Sequence, residues 1–271
     1  MLIAAGLLLT LGALAWSAQG LLLYPAPVAT PPTAADVAPA QLVALPPSYA
    51  LYLPAPGAAA DRPAPLMIFA HGNAEAAVQW LPEVEALHEA GLSLLLLEYP
   101  GYAGAEGRPD RRSLRAVALA AHDWARAQPA VDPERIVAYG RSLGGGVVAE
   151  LAAARPLAAL GLESSFASLP RLVSELGWPS WLLRDRFVPE QALADFAAPV
   201  LLIHGRRDEV IGIGHAHSLR AMLPQAQLLE LDCGHNDCPR PWPAWLALLA
   251  EAGVLPLAPP DAASAEGNAR R

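Results

Sequence analysis

The sequence predicts an α/β protein: a mostly parallel central sheet with helices on both faces and a small helical cap. Three observations lead there. Short, continuously apolar runs recur along the chain, as parallel strands covered on both faces require. Segments of helical apolar spacing alternate with them, which is the order of an α/β sheet. Several of the runs stop at glycine-containing turns, at Gly72, Gly140 and Gly205.

In chain order, "YALYLPAPG" reads as an opening strand and "PLMIFAHGN" as a central one that stops at Gly72. "AAVQWLPEVEALHEAG" carries apolar residues at helical spacing and ends on Gly91, a residue suited to a helix C-terminus. "LSLLLLEYPG" is the next strand and "RRSLRAVALAAHDWARAQP" the next helix. "RIVAYG" is a buried strand followed at once by the small-residue helix "SLGGGVVAELAAA". The strands "LAALGLES", "PVLLIHG" and "AQLLELD" follow, with helical "GHAHSLRAML" between the last two and "WPAWLALLAEAG" as the closing helix. Residues 165–199 fall outside the alternation. Their Trp178, Trp181, Leu182, Leu183 and Phe187 either form a cap or belong to the core of an ordinary crossover.

The ends of the chain differ from its middle. Residues 1–24 carry no charged side chain. At about 1.5 Å of rise per residue, a helix of that length crosses a bilayer. Two readings stand: a single-pass membrane anchor with the domain in the periplasm, or a signal segment cleaved near Ala18-Gln19-Gly20, leaving a secreted protein. The apolar run continues through Leu21, Leu22 and Leu23 and no basic segment precedes it, which favours the anchor. Residues 25–47 read as a proline- and alanine-rich tether, 48–254 as one domain, and 255–271 as a disordered tail.

Of the 271 residues, 54% are hydrophobic and 16% charged, the net charge is −8, and lysine is absent. A nucleic-acid partner is excluded on that balance, because phosphate binding needs a clustered positive surface. Neither a cofactor signature nor a complete metal site is legible. The "GGG" at 144–146 follows a serine and lacks the spacing of a phosphate-binding loop. Cys233, His235 and Cys238 lie on one loop and make an incomplete zinc set. The two cysteines read equally as a local disulfide in an oxidising compartment or as free buried thiols.

The chemistry is carried by Gly140-Arg141-Ser142-Leu143-Gly144, a G-x-S-x-G pattern set between strand and helix. So tight a turn holds its central residue in a sparsely populated conformation, and glycine neighbours keep it from clashing. Ser142 is thereby lifted out of the sheet as a nucleophile, and the Leu143 N–H stands at a helix N-terminus, where negative charge is stabilised. A serine needs a base, and the base an orienting carboxylate. Asp208 follows the strand "PVLLIHG" and His235 follows "AQLLELD", both at strand C-terminal ends, in the order Ser, Asp, His. Glu209 is the alternative to Asp208. The Asn73 N–H, in the loop after "IFAHG", is the second oxyanion donor, with Ala74 as its alternative. His71 and His204 read as loop-holding residues, Arg141 as one half of an ion pair, and His88, His122, His215 and His217 as surface or half-buried.

Taken together, "HGN" at 71–73, "EYPGYAGAEGRP" at 98–109, "GRSLGG" at 140–145, "ESSFASL" at 163–169, "LLRDRF" at 182–187, "HGRRDEV" at 204–210 and "GHND" at 234–237 resemble the α/β-hydrolase superfamily. More narrowly they are similar to its membrane-anchored α/β-hydrolase-domain serine hydrolases. The resemblance implies a serine hydrolase with Ser142 as nucleophile, His235 as base and Asp208 as the orienting acid, acting on a small-molecule acyl substrate. A membrane anchor beside an apolar cap region would suit an acyl chain or a lipid. The alternatives are a serine peptidase, an acyltransferase and a non-catalytic membrane-tethered interaction module. One departure is the short region before "HGN", where such proteins usually carry a longer pair of antiparallel strands, so the early part of the sheet is the least defined.

Overall fold

The structure is a computed structural model that describes residues 19, 20 and 22–256. The expected anchor over 1–24 and the expected tail over 255–271 therefore lie largely outside the described residues. Among those, no helix is long and apolar enough to cross a membrane.

Eight strands form one sheet: β1 (Gln41–Leu45), β2 (Ser48–Leu53), β3 (Ala64–Ala70), β4 (Ser93–Leu97), β5 (Val131–Arg141), β6 (Leu160–Glu163), β7 (Val200–Gly205) and β8 (Ala226–Leu231). Their order is β1-β2-β4-β3-β5-β6-β7-β8. β1 and β2 pair antiparallel, as do β2 and β4, and every other pairing is parallel. The fold expected from the alternation is thus present. The helices are α1 (Ala34–Val37), α2 (Glu85–Glu89), α3 (Arg111–Arg126), α4 (Leu143–Ala152), α5 (Leu169–Glu175), α6 (Pro189–Ala192), α7 (Gly214–Met222) and α8 (Trp242–Glu251).

The continuous apolar runs have a direct physical cause. Successive side chains of a strand point to opposite faces, and both faces are covered here. Leu66, Ile68, Leu95, Ile136 and Leu202 enter one core cluster with Leu114 and Val117 of α3 and Val147 and Leu151 of α4. Met67, Phe69, Leu94, Val137 and Leu201 enter the other with Leu87 of α2 and Trp245 and Leu249 of α8.

Three expectations are corrected. The segment 25–47 is not a free tether throughout: it holds α1, and Leu42 pairs with Leu51 across the β1–β2 hairpin, which buries Val43 and Leu45. The early part of the sheet, left undefined by the short region before "HGN", is that same antiparallel hairpin. The single helix expected over 76–91 is instead two 3₁₀ turns, Ala77–Trp80 and Pro82–Val84, followed by α2. Pro82 lacks the N–H that a continuous helix would need there. Gly91 does end the segment in a left-handed conformation, at φ 93°.

Between β6 and β7 the chain forms the small cap: α5, a 3₁₀ turn at Ser180–Leu182, and α6. Leu183 and Phe187 belong to the core, whereas Trp178 and Trp181 are 62% and 77% exposed.

Candidate active site

β5 ends at Arg141 and α4 begins at Leu143, which leaves Ser142 alone to make the turn. Its backbone stands at φ 52° and ψ −115°, a conformation that L side chains rarely adopt. The tightness of the turn also shows at Gly144, where a Cβ would lie 1.9 Å from the Ala70 carbonyl oxygen. Only glycine lets α4 press against the end of β3, and this packing puts the His71-Gly72-Asn73 loop beside the helix N-terminus.

The structure brings together the three residues expected from the motif. His235 Nε2 is 3.1 Å from Ser142 Oγ, and His235 Nδ1 is 2.8 Å from Asp208 Oδ2. All three side chains are buried. Burial raises the Asp208 carboxyl, but hydrogen bonds from His204 and His235 and from the Ile211 N–H outweigh it and hold the group well below the usual carboxylate range. Asp208 is therefore a carboxylate that can only accept. It follows that His235 Nδ1 donates to it and Nε2 is left to accept the Ser142 hydroxyl proton. Asp208 is itself anchored by N–H donation from Val210 and Ile211 to Oδ1, at 2.9 and 2.8 Å.

Leu143 is the first residue of α4, so its N–H has no carbonyl of its own helix to bond. Asn73 lies in the loop after β3, and its side chain is fixed on both sides. Nδ2 donates to the Leu23 carbonyl at 2.7 Å, and Oδ1 accepts from the Tyr102 hydroxyl. Ala74 follows at φ 59°.

Several neighbours have roles that the sequence reading missed or understated. Arg141, only 4% exposed, pairs with Glu75, and its Nη2 donates to the His235 carbonyl and to Asn236 Oδ1 at 2.7 and 2.8 Å. Glu75 in turn accepts from the Gly72 N–H and from Trp80 Nε1. One Glu–Arg pair thus ties the loop of Asn73 to the loop of His235. The only signal for Glu75 was a carboxylate three residues after Gly72. Glu163, whose carboxyl burial pushes up, sits on the far side of Arg141 at 3.6 Å and accepts from the Tyr139 hydroxyl.

His71 and His204 hold loops, as expected: His71 lies against Glu98 and the Gly72 carbonyl, and His204 against the Ile211 carbonyl and Asp208. His122 and His215 are buried rather than exposed or half-buried. His122 Nε2 meets the Pro156 carbonyl, and His215 Nδ1 accepts from the Ala167 N–H. Glu209 is not the partner of His235; Asp208 is. Ser165 donates to the Ser142 carbonyl at 2.9 Å and so braces the elbow from behind. Cys233 and Cys238 are joined in a disulfide that brackets His235, so neither is a thiolate ligand.

Comparison with known proteins agrees with this architecture. A family model described as "alpha/beta hydrolase fold" matches residues 65–170. An uncharacterized protein of Mycobacterium tuberculosis is 38% identical over 180 residues, covering 64% of this chain and 63% of that protein. The α/β-hydrolase domain-containing protein aho-3 of Caenorhabditis elegans is 31% identical over 174 residues, covering 63% of this chain and 52% of that protein. The matched region therefore spans less than two thirds of these relatives. Among solved structures, the esterase Est2 of Thermogutta terrifontis in its butyrate-bound form superposes with a TM-score of 0.67 at 16% identity. It covers 82% of this chain and 98% of its own. Est1E of Butyrivibrio proteoclasticus gives 0.64 at 19% identity, over 79% and 98%.

Proposed function

We propose that this chain, which has the α/β-hydrolase fold, is a serine hydrolase that cleaves a carboxylic ester, thioester or related acyl bond through an acyl-enzyme. The observation that carries the reading is the unbroken line of contacts from Asp208 Oδ2 to His235 to Ser142 Oγ, at 2.8 and 3.1 Å. Stability alone has no use for a serine held at φ 52° beside a histidine–carboxylate pair.

In the first half-reaction the Ser142 hydroxyl attacks the acyl carbonyl while His235 Nε2 takes its proton. The ionised Asp208 stabilises the resulting imidazolium. Charge develops on the carbonyl oxygen at the N-terminus of α4, where the Leu143 N–H and the N–H of Asn73 receive it; each such donor is worth about 3 to 4 kcal/mol in the transition state. His235 then returns the proton to the leaving group. Water, deprotonated by the same histidine, releases the acid.

The reading extends to location. The uncharged stretch 1–18 and the Cys233–Cys238 disulfide both suit a protein held at a membrane with its domain in the periplasm.

Labelling by a fluorophosphonate probe tests the assignment on the full chain, with Ser142→Ala and His235→Ala beside it. The expected result is labelling of the wild type that both variants lose. A folded wild type that never labels overturns the proposal and leaves a non-catalytic interaction module.

A further inference from the structure

Two arginines converge on the carboxyl group of Glu163, the last residue of β6. Arg240 Nη1 donates to Oε1 at 3.3 Å, and Arg141 Nε, a buried N–H with no hydrogen bond among the described residues, faces the same oxygen at 3.6 Å. The Tyr139 hydroxyl donates to Oε2 at 2.7 Å. Each guanidinium also reaches a second carboxylate nearer the surface, Glu75 for Arg141 and Glu83 for Arg240. Trp80 completes the arrangement: its Nε1 donates to Glu75 at 2.9 Å, and the Arg240 guanidinium carbon lies 4.5 Å over the centre of its ring. Glu75, Arg141, Glu163, Arg240 and Trp80 thus form one closed ring of contacts, with Glu163, 1% exposed, on its inner side.

We propose that Glu163 is a positioning residue for His235, holding the His235 loop in register with Ser142 through Arg141 and Arg240. The inference rests on the serine-hydrolase reading and deepens it. Three observations carry it. The first is that residues 232–241 contain neither helix nor strand, so groups outside the loop must place it on the sheet. The Cys233–Cys238 bond and the bond from the Gly234 N–H to Asp237 lie within the loop and fix its shape, not its place. Its start is tied just beyond the end of β7 by the Arg207 N–H, which donates to the Cys233 carbonyl at 3.0 Å. Its middle is held by Arg141, at the His235 carbonyl and Asn236, and its end carries Arg240. Among the described residues, Glu163 is the one carboxyl group that both arginines share.

The second observation is the main chain. The Glu163 carbonyl accepts the Ser142 N–H at 2.8 Å, and Arg141 lies opposite Glu163 in the β5–β6 register. The same residue therefore meets the turn at Ser142 by its backbone and the His235 loop by its side chain. The third is the margin. A general base must come within about 3.2 Å of the group it deprotonates, and His235 Nε2 stands 3.1 Å from Ser142 Oγ. A small outward drift of the loop breaks that contact.

The hold depends on charge. Glu75 and Glu83 are partly exposed, at 21% and 44% of their side chains, so water screens their grip on the arginines. Glu163 faces no water, and a charge-assisted bond is roughly twice as strong as a neutral one. Burial raises the Glu163 carboxyl; the Tyr139 hydroxyl, Arg141 and Arg240 favour its ionised form. Glu163→Gln preserves the shape and an acceptor for Tyr139, leaves each arginine one carboxylate, and removes the inward pull.

The test compares the full-chain wild type with Glu163→Gln and Arg240→Ala, at mildly alkaline pH, where a raised carboxyl is ionised, and at a temperature where near-UV circular dichroism shows each protein folded. Arg240 is partly exposed, so that variant keeps the test valid if Glu163→Gln fails to fold. The first readout is hydrolysis of p-nitrophenyl acetate. His235 serves both half-reactions, so both slow together: kcat is expected to fall about tenfold or more while KM stays within about twofold. The second readout is the low-field proton NMR line of the hydrogen that His235 Nδ1 donates to Asp208, identified by its absence in His235→Ala. Its exchange with water is expected to quicken about tenfold or more in both variants, because the loop opens more often. An unmoved line in a folded variant overturns the proposal, and so does a rise in KM with kcat kept, or a loss of kcat no larger than the loss of folded protein. The NMR line needs no turnover. If the wild type hydrolyses no ester and takes no fluorophosphonate while the line responds to both substitutions, the hydrolase reading falls and the positioning role stands.

Discussion

Arg141 Nη2 donates to the carbonyl oxygen of His235 at 2.7 Å, so the residue just before Ser142 holds the loop that carries His235. The same guanidinium pairs with Glu75, which accepts the Gly72 N–H from the loop of Asn73. The three loops that must meet for the proposed chemistry therefore share one buried cation.

Arg141→Ala takes from Glu75 its cation, leaves the buried Glu163 only Arg240 at 3.3 Å, and frees the His235 loop. Breaking a buried pair costs about 3 to 5 kcal/mol, so urea unfolding should show a loss near that size, and fluorophosphonate labelling at a permissive temperature should slow. Arg141→Lys restores the charge without the two-pronged geometry. It should recover part of the stability and little of the rate. Equal recovery of both would mean that Arg141 acts by charge alone.

The depressed Asp208 carboxyl has a consequence in acid. A carboxylate whose folded pKa lies below its unfolded value stabilises the protein fully above the unfolded value, and that contribution is lost as pH falls. The loss begins near the ordinary aspartate value of about 4 and continues toward the lower folded value. Asp208→Asn should be less stable at neutral pH and should lose less than the wild type between about pH 4 and pH 2. Parallel stability curves for the two proteins would show that the carboxylate is not held down by its hydrogen bonds.

The Cys233–Cys238 bond closes a short ring that contains His235, at a sequence separation of 5. Chain-entropy reasoning assigns such a ring about 2 kcal/mol. The Cys233→Ala/Cys238→Ala double variant should melt earlier by a corresponding amount. Its labelling rate should fall further than the fraction unfolded explains, since the base rides on the loosened loop. A rate that simply tracks the folded fraction would limit the disulfide to a stabilising role.

At Gly144, a methyl group has the Ala70 carbonyl oxygen in its place. Gly144→Ala should destabilise by about 1 to 3 kcal/mol, the usual range for overpacking, and should also depress labelling, because relief of the clash moves α4 away from the loop of Asn73. Gly91→Ala, where a Cβ meets nothing within 4 Å but φ is 93°, serves as the control. It should cost stability without touching the labelling rate.

The central strands and the meeting of Ser142, His235 and Asp208 were legible for different reasons. β3, β4 and β7 are buried on both faces, so the runs 66–70, 94–97 and 200–203 within them are apolar throughout. Ser142 was legible because the sharp turn demands its glycines, and Asp208 and His235 because each follows directly on a strand. What escaped notice depends on separation in the chain. Arg141 meets Glu75 across 66 residues and His235 across 94, and no local pattern announces such contacts. The broken helix over 76–91 was a different failure: Pro82 stood in plain view and was outweighed by apolar spacing. β1 was missed because only Val43 and Leu45 of its five residues are buried, and its flanking prolines dominate the composition.

The left-handed backbone at Ser142 also bears on how this protein would change under selection. Glycine tolerates that conformation at no steric cost, so replacing Ser142 would relax the fold at the one position where the proposed chemistry resides. Directed evolution for heat resistance alone would then favour dead variants at residue 142, and any such programme would need to screen for turnover in every round.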